Sequence, residues 1–204
     1  MNVFEELYKE LKNKYGSPGG QWKLWCKRPK TEREREEVII GAVLTQRTNW
    51  NNVELVSNNL KKAKADSLRA VHRLGRRKLS PLIRSSGFYR AKADCLLGLA
   101  GFILKDCGDL NRMKKSDRKE LREKLLQLKG IGPETADSIL LYALDKPCFV
   151  VDEYTRRLVK KRGLAKNLSY AFLQETFEEN LKRDFRLYQD FHALIVIDGK
   201  NQTG

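Results

Sequence analysis

Hydrophobic residues recur at intervals of three and four along most of the chain, the spacing of a helix with one buried face. Phe4, Leu7 and Leu11 show this spacing at the N-terminal end. The continuous apolar run 38–44 is expected to be buried on all sides. No segment alternates convincingly between apolar and polar residues, as a half-buried strand does. The pattern therefore predicts an all-α protein.

Two of the predicted helices are joined by a tight turn that contains two glycines. The first helix ends near Leu128, and the connection consists of Lys129, Gly130, Ile131, Gly132 and Pro133. Glycine permits backbone angles that other residues avoid, and proline suits the first turn of a helix. The N–H groups of such a turn, with the positive end of the second helix, can bind a DNA phosphate. An ordinary helical hairpin is the alternative.

Charge favours a polyanionic partner. The 204-residue chain has 41 Lys and Arg against 26 Asp and Glu, a formal net charge of +15. Nucleic acid is the first partner to consider, with ribosomal or membrane-surface binding as the alternative. No apolar run approaches the length of a membrane span, and the N-terminal residues do not resemble a signal peptide. We therefore expect a cytoplasmic, nucleoid-associated protein without a membrane partner.

The cysteines and histidines exclude several kinds of site. The cysteines are Cys26, Cys95, Cys107 and Cys148, and none has the CxxC spacing of a zinc or iron–sulfur site. They are interpreted as buried or incidental thiols in a reducing compartment. The two histidines, His72 and His192, argue against a Ser-His-Asp mechanism.

Two segments together resemble a known family. LKGIGPETA, which contains the hairpin, and VVDEYTRRL, which contains Asp152, are similar to the helix-hairpin-helix DNA glycosylase superfamily, and most of all to its endonuclease III-like branch. The resemblance implies two helical lobes with an active-site cleft between them. One lobe would be residues 27–146 with the hairpin. The other would combine residues 1–26 and 147–204, without an iron–sulfur loop.

The resemblance also implies the chemistry. Release of a damaged base breaks a C1′–N bond, and a carboxylate near C1′ can stabilise the positive charge that develops on the sugar. Asp152 stands at the position that the family uses, although it could also simply cap the following helix. Glu134 stands where bifunctional relatives carry a nucleophilic lysine. Because glutamate has no amine, the resemblance implies a monofunctional glycosylase without AP lyase activity. Glu134 itself could be a second catalytic residue that accepts a hydrogen bond from the flipped base or holds a water, or it could simply be a helix-start glutamate that the helix dipole favours.

Further matches imply DNA contacts. In GAVLTQRT, Gln46 would fill the gap left by the flipped nucleotide, and in SSGFYRAKA, Phe88 would be a wedge in the opposite strand. The alternatives are a helix cap for Gln46 and a core position for Phe88. The hairpin residues and the basic helix that follows Asp152 would contact phosphates: Lys129, Gly130, Ile131, Gly132, Arg156 and Arg157.

The tryptophans suggest a substrate class. Trp22, Trp25 and Trp50 could form a slot that stacks on a cationic N-alkylated purine such as 3-methyladenine. The closest resemblance is to the cluster-free 3-methyladenine DNA glycosylase III group. Core anchoring is the alternative for Trp22 and Trp25. A uracil or thymine mismatch glycosylase and a non-catalytic DNA-structure binder also remain open.

The same resemblance bears on cofactors and partners. In many relatives the segment that matches 191–199 leads into a four-cysteine iron–sulfur loop, whereas here Thr203 stands near the first cysteine position. We therefore expect no cluster, while the family allows a monovalent cation at the hairpin. The expected partner is double-stranded DNA with a damaged base, and the expected state is a monomer.

Overall fold

The computed structural model of the protein describes residues 2–202, and helices are the regular secondary structure in that range, with no β-strand among those residues. The all-α prediction is confirmed. By its internal contacts the chain divides into two compact units. One unit is Pro29–Leu144, and the other combines Met1–Arg28 with Asp145–Gly204.

The helices of the middle unit are α3 to α9: α3 Glu32–Leu44, α4 Trp50–Lys62, α5 Leu68–Leu82, α6 Tyr89–Gly101, α7 Leu110–Lys115, α8 Arg118–Leu126 and α9 Pro133–Ser138. A 3₁₀ turn, Arg84–Ser86, precedes α6. The π-helical turns Phe102–Cys107 and Ile139–Ala143 continue α6 and α9. The helices of the second unit are α1 Val3–Tyr15, α2 Trp22–Trp25, α10 Glu153–Arg162, α11 Tyr170–Asn180 and α12 Phe185–Asn201.

The core of the middle unit is formed around α3. Every residue from Val38 to Leu44 is buried, as the apolar run predicts, because neighbours cover this helix on all sides. The π-helical turn Ile139–Ala143 is also fully buried and packs against α3. Arg35 fixes its end, since the guanidinium Nη1 donates to the carbonyl of Ala143. The end of α9 is therefore held to the core by a buried cation.

Aromatic rings fill the core of the second unit. Phe149 stacks on Phe177 with 4.2 Å between ring centroids, and Tyr188 meets Phe149 edge-on at 5.6 Å. Side chains from α11 satisfy the backbone here: Phe149 N donates to Glu178 Oε1 at 2.9 Å, and Gln174 Nε2 donates to Phe149 O at 2.7 Å. The extended segment that leads to Asp152 is therefore fixed by both packing and hydrogen bonds.

A glycine allows the first turn of α10 to lie close to α12. Gly199 is on α12, and a β-carbon at this position would overlap the ring of Tyr154. Because glycine has no β-carbon, the ring packs directly on the helix backbone. Tyr154 is two residues from Asp152, so the contact helps to set the position of that end of α10.

No helix in the range 2–202 combines the length and apolar character needed to cross a membrane.

Candidate functional site

Asp152 is the N-cap of α10, and both oxygens of its carboxylate are engaged. Oδ1 accepts from Thr155 N at 2.8 Å and from Thr155 Oγ1 at 3.0 Å. Oδ2 lies 3.4 Å from His192 Nε2. The Asp152 side chain keeps 14% of its surface exposed. The capping role foreseen as an alternative is therefore present, and it holds the carboxylate in one orientation with solvent access.

The surroundings of Asp152 favour its ionised form. Burial by itself would raise the pKa of Asp152, but the nearby His192 imidazole and the two bonds from Thr155 lower it. The net direction is a pKa below the usual value, so Asp152 is ionised at neutral pH. Sequence reasoning did not identify His192 as a partner, although FHALIV lies in a segment that matches the family.

Trp22 and Trp25 lie beside this site but are largely covered. Their side chains are 6% and 7% exposed, and their rings meet edge-on at 5.8 Å. Trp22 also meets His192 edge-on at 5.7 Å. This burial favours the core-anchoring interpretation for both rings, and their stacking role stays a prediction. Trp50 belongs to the middle unit, where it is the half-buried first residue of α4.

Lys200 is a second residue near Asp152 that the sequence did not single out. Its Nζ donates to Gln21 Oε1 at 2.7 Å. Burial lowers the pKa of Lys200, and the negative charge of Asp152 opposes that shift without cancelling it. The second unit thus brings together a fixed carboxylate, an imidazole and a partly desolvated amine.

The hairpin of the middle unit runs from α8 to α9. Gly130 has a φ of +87°, and a β-carbon there would lie 3.1 Å from Cys95 Cβ on α6, so both conformation and space require glycine. Gly132 has a φ of −94°, which any residue can adopt, and no atom lies within 4 Å of where its β-carbon would be. Of the two hairpin glycines, Gly130 therefore has a backbone angle that other residues avoid, and Gly132 does not. Lys129 and Glu134 are exposed, whereas Ile131 is buried.

A bidentate ion pair connects the two hairpin helices. Arg122 on α8 donates from Nε to Asp137 Oδ1 at 2.7 Å and from Nη2 to Asp137 Oδ2 at 3.0 Å. Asp137 on α9 is fully buried, and the Arg122 side chain is 28% exposed. Such a fork-to-fork pair fixes both distance and angle between its helices. Sequence reasoning did not identify this pair, because the spacing of apolar residues does not show which charged residues of two helices meet.

Gln46 contacts the hairpin. Its Nε2 donates to the carbonyl of Gly130 at 2.9 Å and to Thr135 Oγ1 at 2.9 Å. The alternative in which Gln46 caps a helix end does not describe this arrangement, because Thr45 is the C-cap of α3 and the Gln46 amide binds across the fold. Its role as gap filler stays a prediction.

Phe88 directly precedes α6 and lies at the surface of the middle unit. It is 65% exposed with a φ of +45°, so the alternative of a core phenylalanine is wrong.

The two arginines of the basic helix α10 differ in exposure. Arg156 is half-buried, and its Nε donates to Leu168 O at 3.2 Å. Arg157 is exposed and pairs with Glu153 at 3.0 Å. Arg157 is therefore more accessible to an external anion than Arg156.

The described residues do not fit an iron–sulfur cluster. Cys26, Cys95, Cys107 and Cys148 form no disulfide bond among the described residues, and residues 2–202 contain no group of three or more His, Cys, Asp or Glu side chains arranged to hold a metal ion. Burial raises the pKa of Cys95 to about 11, as suits an inert core thiol. Thr203, used in the comparison with cluster-bearing relatives, lies outside the described residues.

Comparison with known proteins gives consistent matches. Residues 40–183 match the family described as "HhH-GPD superfamily base excision DNA repair protein". A Methanocaldococcus jannaschii protein described as a candidate DNA repair glycosylase is 42% identical over 96% of this chain and 87% of its own length. Endonuclease III of Thermotoga maritima is 27% identical over 89% of this chain and 76% of its own. The crystal structure of H. pylori 3-methyladenine DNA glycosylase MagIII, bound to 1,N6-ethenoadenine, superposes with a TM-score of 0.82 and 33% identity over 99% of both chains.

Proposed function

The chain belongs to the HhH-GPD superfamily of base excision DNA repair proteins, in its endonuclease III-like branch, and we propose that it is a monofunctional DNA glycosylase for N-alkylated purines such as 3-methyladenine. Its substrate would be a damaged base in double-stranded DNA, flipped out of the helix. The observation that carries the proposal is the Asp152 carboxylate, which is fixed, ionised and partly exposed at the start of α10.

Asp152 acts on the charge that develops as the glycosidic bond breaks. The base departs from C1′ with the bonding electrons, water forms the new bond to C1′, and that water gives up a proton to the solvent. A carboxylate with a lowered pKa is a weak base but a persistent negative charge. We therefore assign Asp152 mainly to stabilisation of the oxocarbenium-like sugar and orientation of the water.

The ionised state of Asp152 also bears on the leaving group. A carboxylate that stays ionised at neutral pH cannot donate a proton to a departing base. A cationic N-alkylated purine departs as a neutral molecule and does not need that proton. A neutral pyrimidine departs as an anion and would need hydrogen-bond donors instead. This difference favours alkylated purines over the alternative uracil or thymine mismatch substrates.

Glu134 supports the monofunctional assignment. It is exposed near the start of α9, where bifunctional relatives carry a lysine, and it cannot form a Schiff base. The similarity to H. pylori MagIII, which is described as a 3-methyladenine DNA glycosylase, supports the same class of substrate. If a covalent intermediate did form, Lys200 would be the first amine to consider as its nucleophile, because its charge interacts with that of Asp152.

A panel of single-lesion duplexes tests this function. The duplexes carry an N-alkylated purine, 1,N6-ethenoadenine, uracil opposite guanine, or thymine opposite guanine, and each reaction is analysed with and without alkali. We expect release of the alkylated purine, strand breaks only after alkali, and no covalent complex after borohydride reduction. Preferential release of uracil or thymine would contradict the substrate class. A reduced covalent complex would contradict the monofunctional assignment, and Lys200→Met would then show whether Lys200 is the amine.

The hairpin is proposed to bind the DNA backbone. Gly132 leaves open space at the turn, and Lys129 is exposed beside it, so a phosphate can approach the backbone N–H groups and the ammonium together. Arg157 presents a second exposed cation on α10. Such contacts neutralise phosphates without reading sequence.

Lys129→Gln is expected to weaken binding to all duplexes alike and to lower the slope of log affinity against log salt by about one, because one phosphate contact is lost. Fluorescence anisotropy across a salt series, with damaged and undamaged duplexes, measures both quantities. Lys119→Gln is the control, since Lys119 is an exposed lysine at the far end of α8. A loss restricted to damaged DNA would contradict the phosphate role.

We further propose that the protein works as a monomer and without an iron–sulfur cluster. The proposal that the protein has no cluster is supported by the positions of its cysteines, which do not come together as a ligand set among the described residues. Stoichiometric iron in purified protein would overturn it. A monovalent cation at the hairpin stays a prediction.

A further inference from the structure

A buried lysine connects the two segments that carry Gln46 and Phe88. Lys92 is on α6 and is 2% exposed. Its Nζ donates to the backbone carbonyl of Leu44 at 2.8 Å and to that of Ser86 at 2.6 Å. Leu44 and Ser86 are far apart in the sequence, so one ammonium group brings two separate parts of the chain to a common point.

Both carbonyls stand at the end of a helical segment, just before a loop. Leu44 is the last residue of α3 and precedes the loop with Gln46, while Ser86 ends the 3₁₀ turn before Gly87 and Phe88. Carbonyls at a helix C-terminus lack partners within the helix and carry its negative end. An ammonium group is therefore favourable at both points, and it fixes the base of each loop.

The loops beyond these carbonyls have unusual backbone conformations. Arg47, directly after Gln46, has a φ of +49°, Gly87 has +69°, and Phe88 has +45°. Non-glycine residues keep such angles only where the surrounding structure imposes them. The bonds from Lys92 supply a constraint at the start of each loop, and the Gln46 amide adds a second constraint through Gly130.

Burial of the Lys92 ammonium group costs desolvation free energy, which an apolar side chain at the same position would not cost. Burial lowers the pKa of Lys92 to about 8, so the cationic form is disfavoured yet still predominates at pH 7. An apolar side chain of similar length would fill the same space without that desolvation. The two carbonyl bonds, rather than hydrophobic filling, are therefore what a lysine provides at this position.

We propose that Lys92 is a positioning residue for DNA opening, which holds the Gln46 and Phe88 loops at the fixed separation needed for both side chains to enter the duplex. The inference rests on the proposed function, in which Phe88 is the wedge and Gln46 fills the gap. Lys92 is buried and does not touch DNA itself. Its contribution is therefore specific to the step in which a paired base leaves the helix.

Lys92→Met tests the proposal through a comparison of two substrates. One is a fully paired duplex with the panel lesion that wild-type protein releases fastest, and the other carries the same lesion in a single-nucleotide loop, where no pairing has to be broken. We expect a loss of about tenfold or more in single-turnover release from the paired duplex, because small displacements of positioning groups have effects of this order. Release from the loop should change little.

A matched control is Arg35→Met. Arg35 is also a buried cation of the middle unit that bonds a helix-terminal carbonyl, and that carbonyl, of Ala143, belongs to neither the Gln46 loop nor the Phe88 loop. Its removal should affect both substrates equally. A purely structural role for Lys92 would give that same equal loss, and would overturn the proposal.

The Phe88→Ala variant separates failure of the inference from failure of the proposed function. If Phe88→Ala loses paired-duplex release selectively and Lys92→Met does not, the Lys92 inference alone is wrong. If Phe88→Ala shows no selective loss, the wedge assignment is wrong and the inference falls with it. With both correct, the double variant should lose no further selectivity beyond Phe88→Ala. If circular dichroism shows that Lys92→Met is unfolded, Lys92→Gln takes its place under the same criteria.

Discussion

Replacement of Asp152 by asparagine is expected to slow base release about 10²–10³-fold, the usual effect of removing one well-placed electrostatic group from an active site. The amide oxygen can still accept from Thr155, so the cap on α10 is largely kept while the negative charge is lost. Duplex affinity should be unchanged or higher, because a charge that repels phosphates is removed. Single-turnover release and anisotropy measure the two effects separately.

Asp184→Asn provides the matched control for this experiment. Asp184 is also an N-cap aspartate of the second unit, and it accepts from Arg186 N at 2.9 Å at the start of α12. The same chemical change there should leave base release unaltered. Full activity of Asp152→Asn would reduce Asp152 to a helix cap and remove the main support for the catalytic assignment.

Arg122→Met is expected to lower the free energy of unfolding by about 3–5 kcal/mol, as is typical when one partner of a buried ion pair is removed. Asp137 is fully buried and would lose its bidentate partner, while the methionine keeps the apolar part of the Arg122 side chain. Urea denaturation measures the change. Because the pair joins α8 to α9, affinity for every duplex should also fall.

Two further variants identify the cause of that loss. Arg122→Met combined with Asp137→Leu removes both charges and should recover much of the stability. Arg157→Met removes an exposed pair with Glu153 and should cost only about 0.5 kcal/mol or less. Equal losses for Arg122→Met and Arg157→Met would show that burial of Asp137 does not govern the effect.

The sequence predicted those features of the fold that depend on residues close together in the chain. Helical spacing predicted the all-α architecture, and the all-apolar run 38–44 predicted a fully covered helix. The hairpin turn was foreseen because its two glycines permit backbone angles that other residues avoid, and Gly130 has such an angle. Asp152 was predictable as a cap, since it directly precedes a helical segment.

Contacts between distant segments could not be predicted in this way. Lys92 lies among Arg90, Ala91 and Ala93, a composition that suits an exposed helix face, and only the carbonyls of Leu44 and Ser86 explain its burial. His192 is likewise separated from Asp152 by the length of two helices. Periodicity identifies which face of a helix is covered, but not which polar group of another segment will meet it.

The tryptophans show a related difficulty. A large aromatic side chain suits both a core and a stacking surface, because both remove its ring from water. Composition could therefore not choose between the two roles for Trp22 and Trp25. What distinguishes the two roles is the tertiary packing, which leaves both rings with low exposure and places Trp22 edge-on to Trp25 and His192.

The contact between Gly199 and Tyr154 makes the Asp152 end of α10 sensitive to a position on another helix. Any side chain at 199 would have to displace the Tyr154 ring, and with it the turn that begins at Asp152. A random-mutagenesis screen for loss of repair should therefore recover substitutions at Gly199 as frequently as those of a reacting group, although the glycine has no chemistry of its own. During divergence of the sequence, a larger residue at position 199 would therefore require a smaller one at position 154.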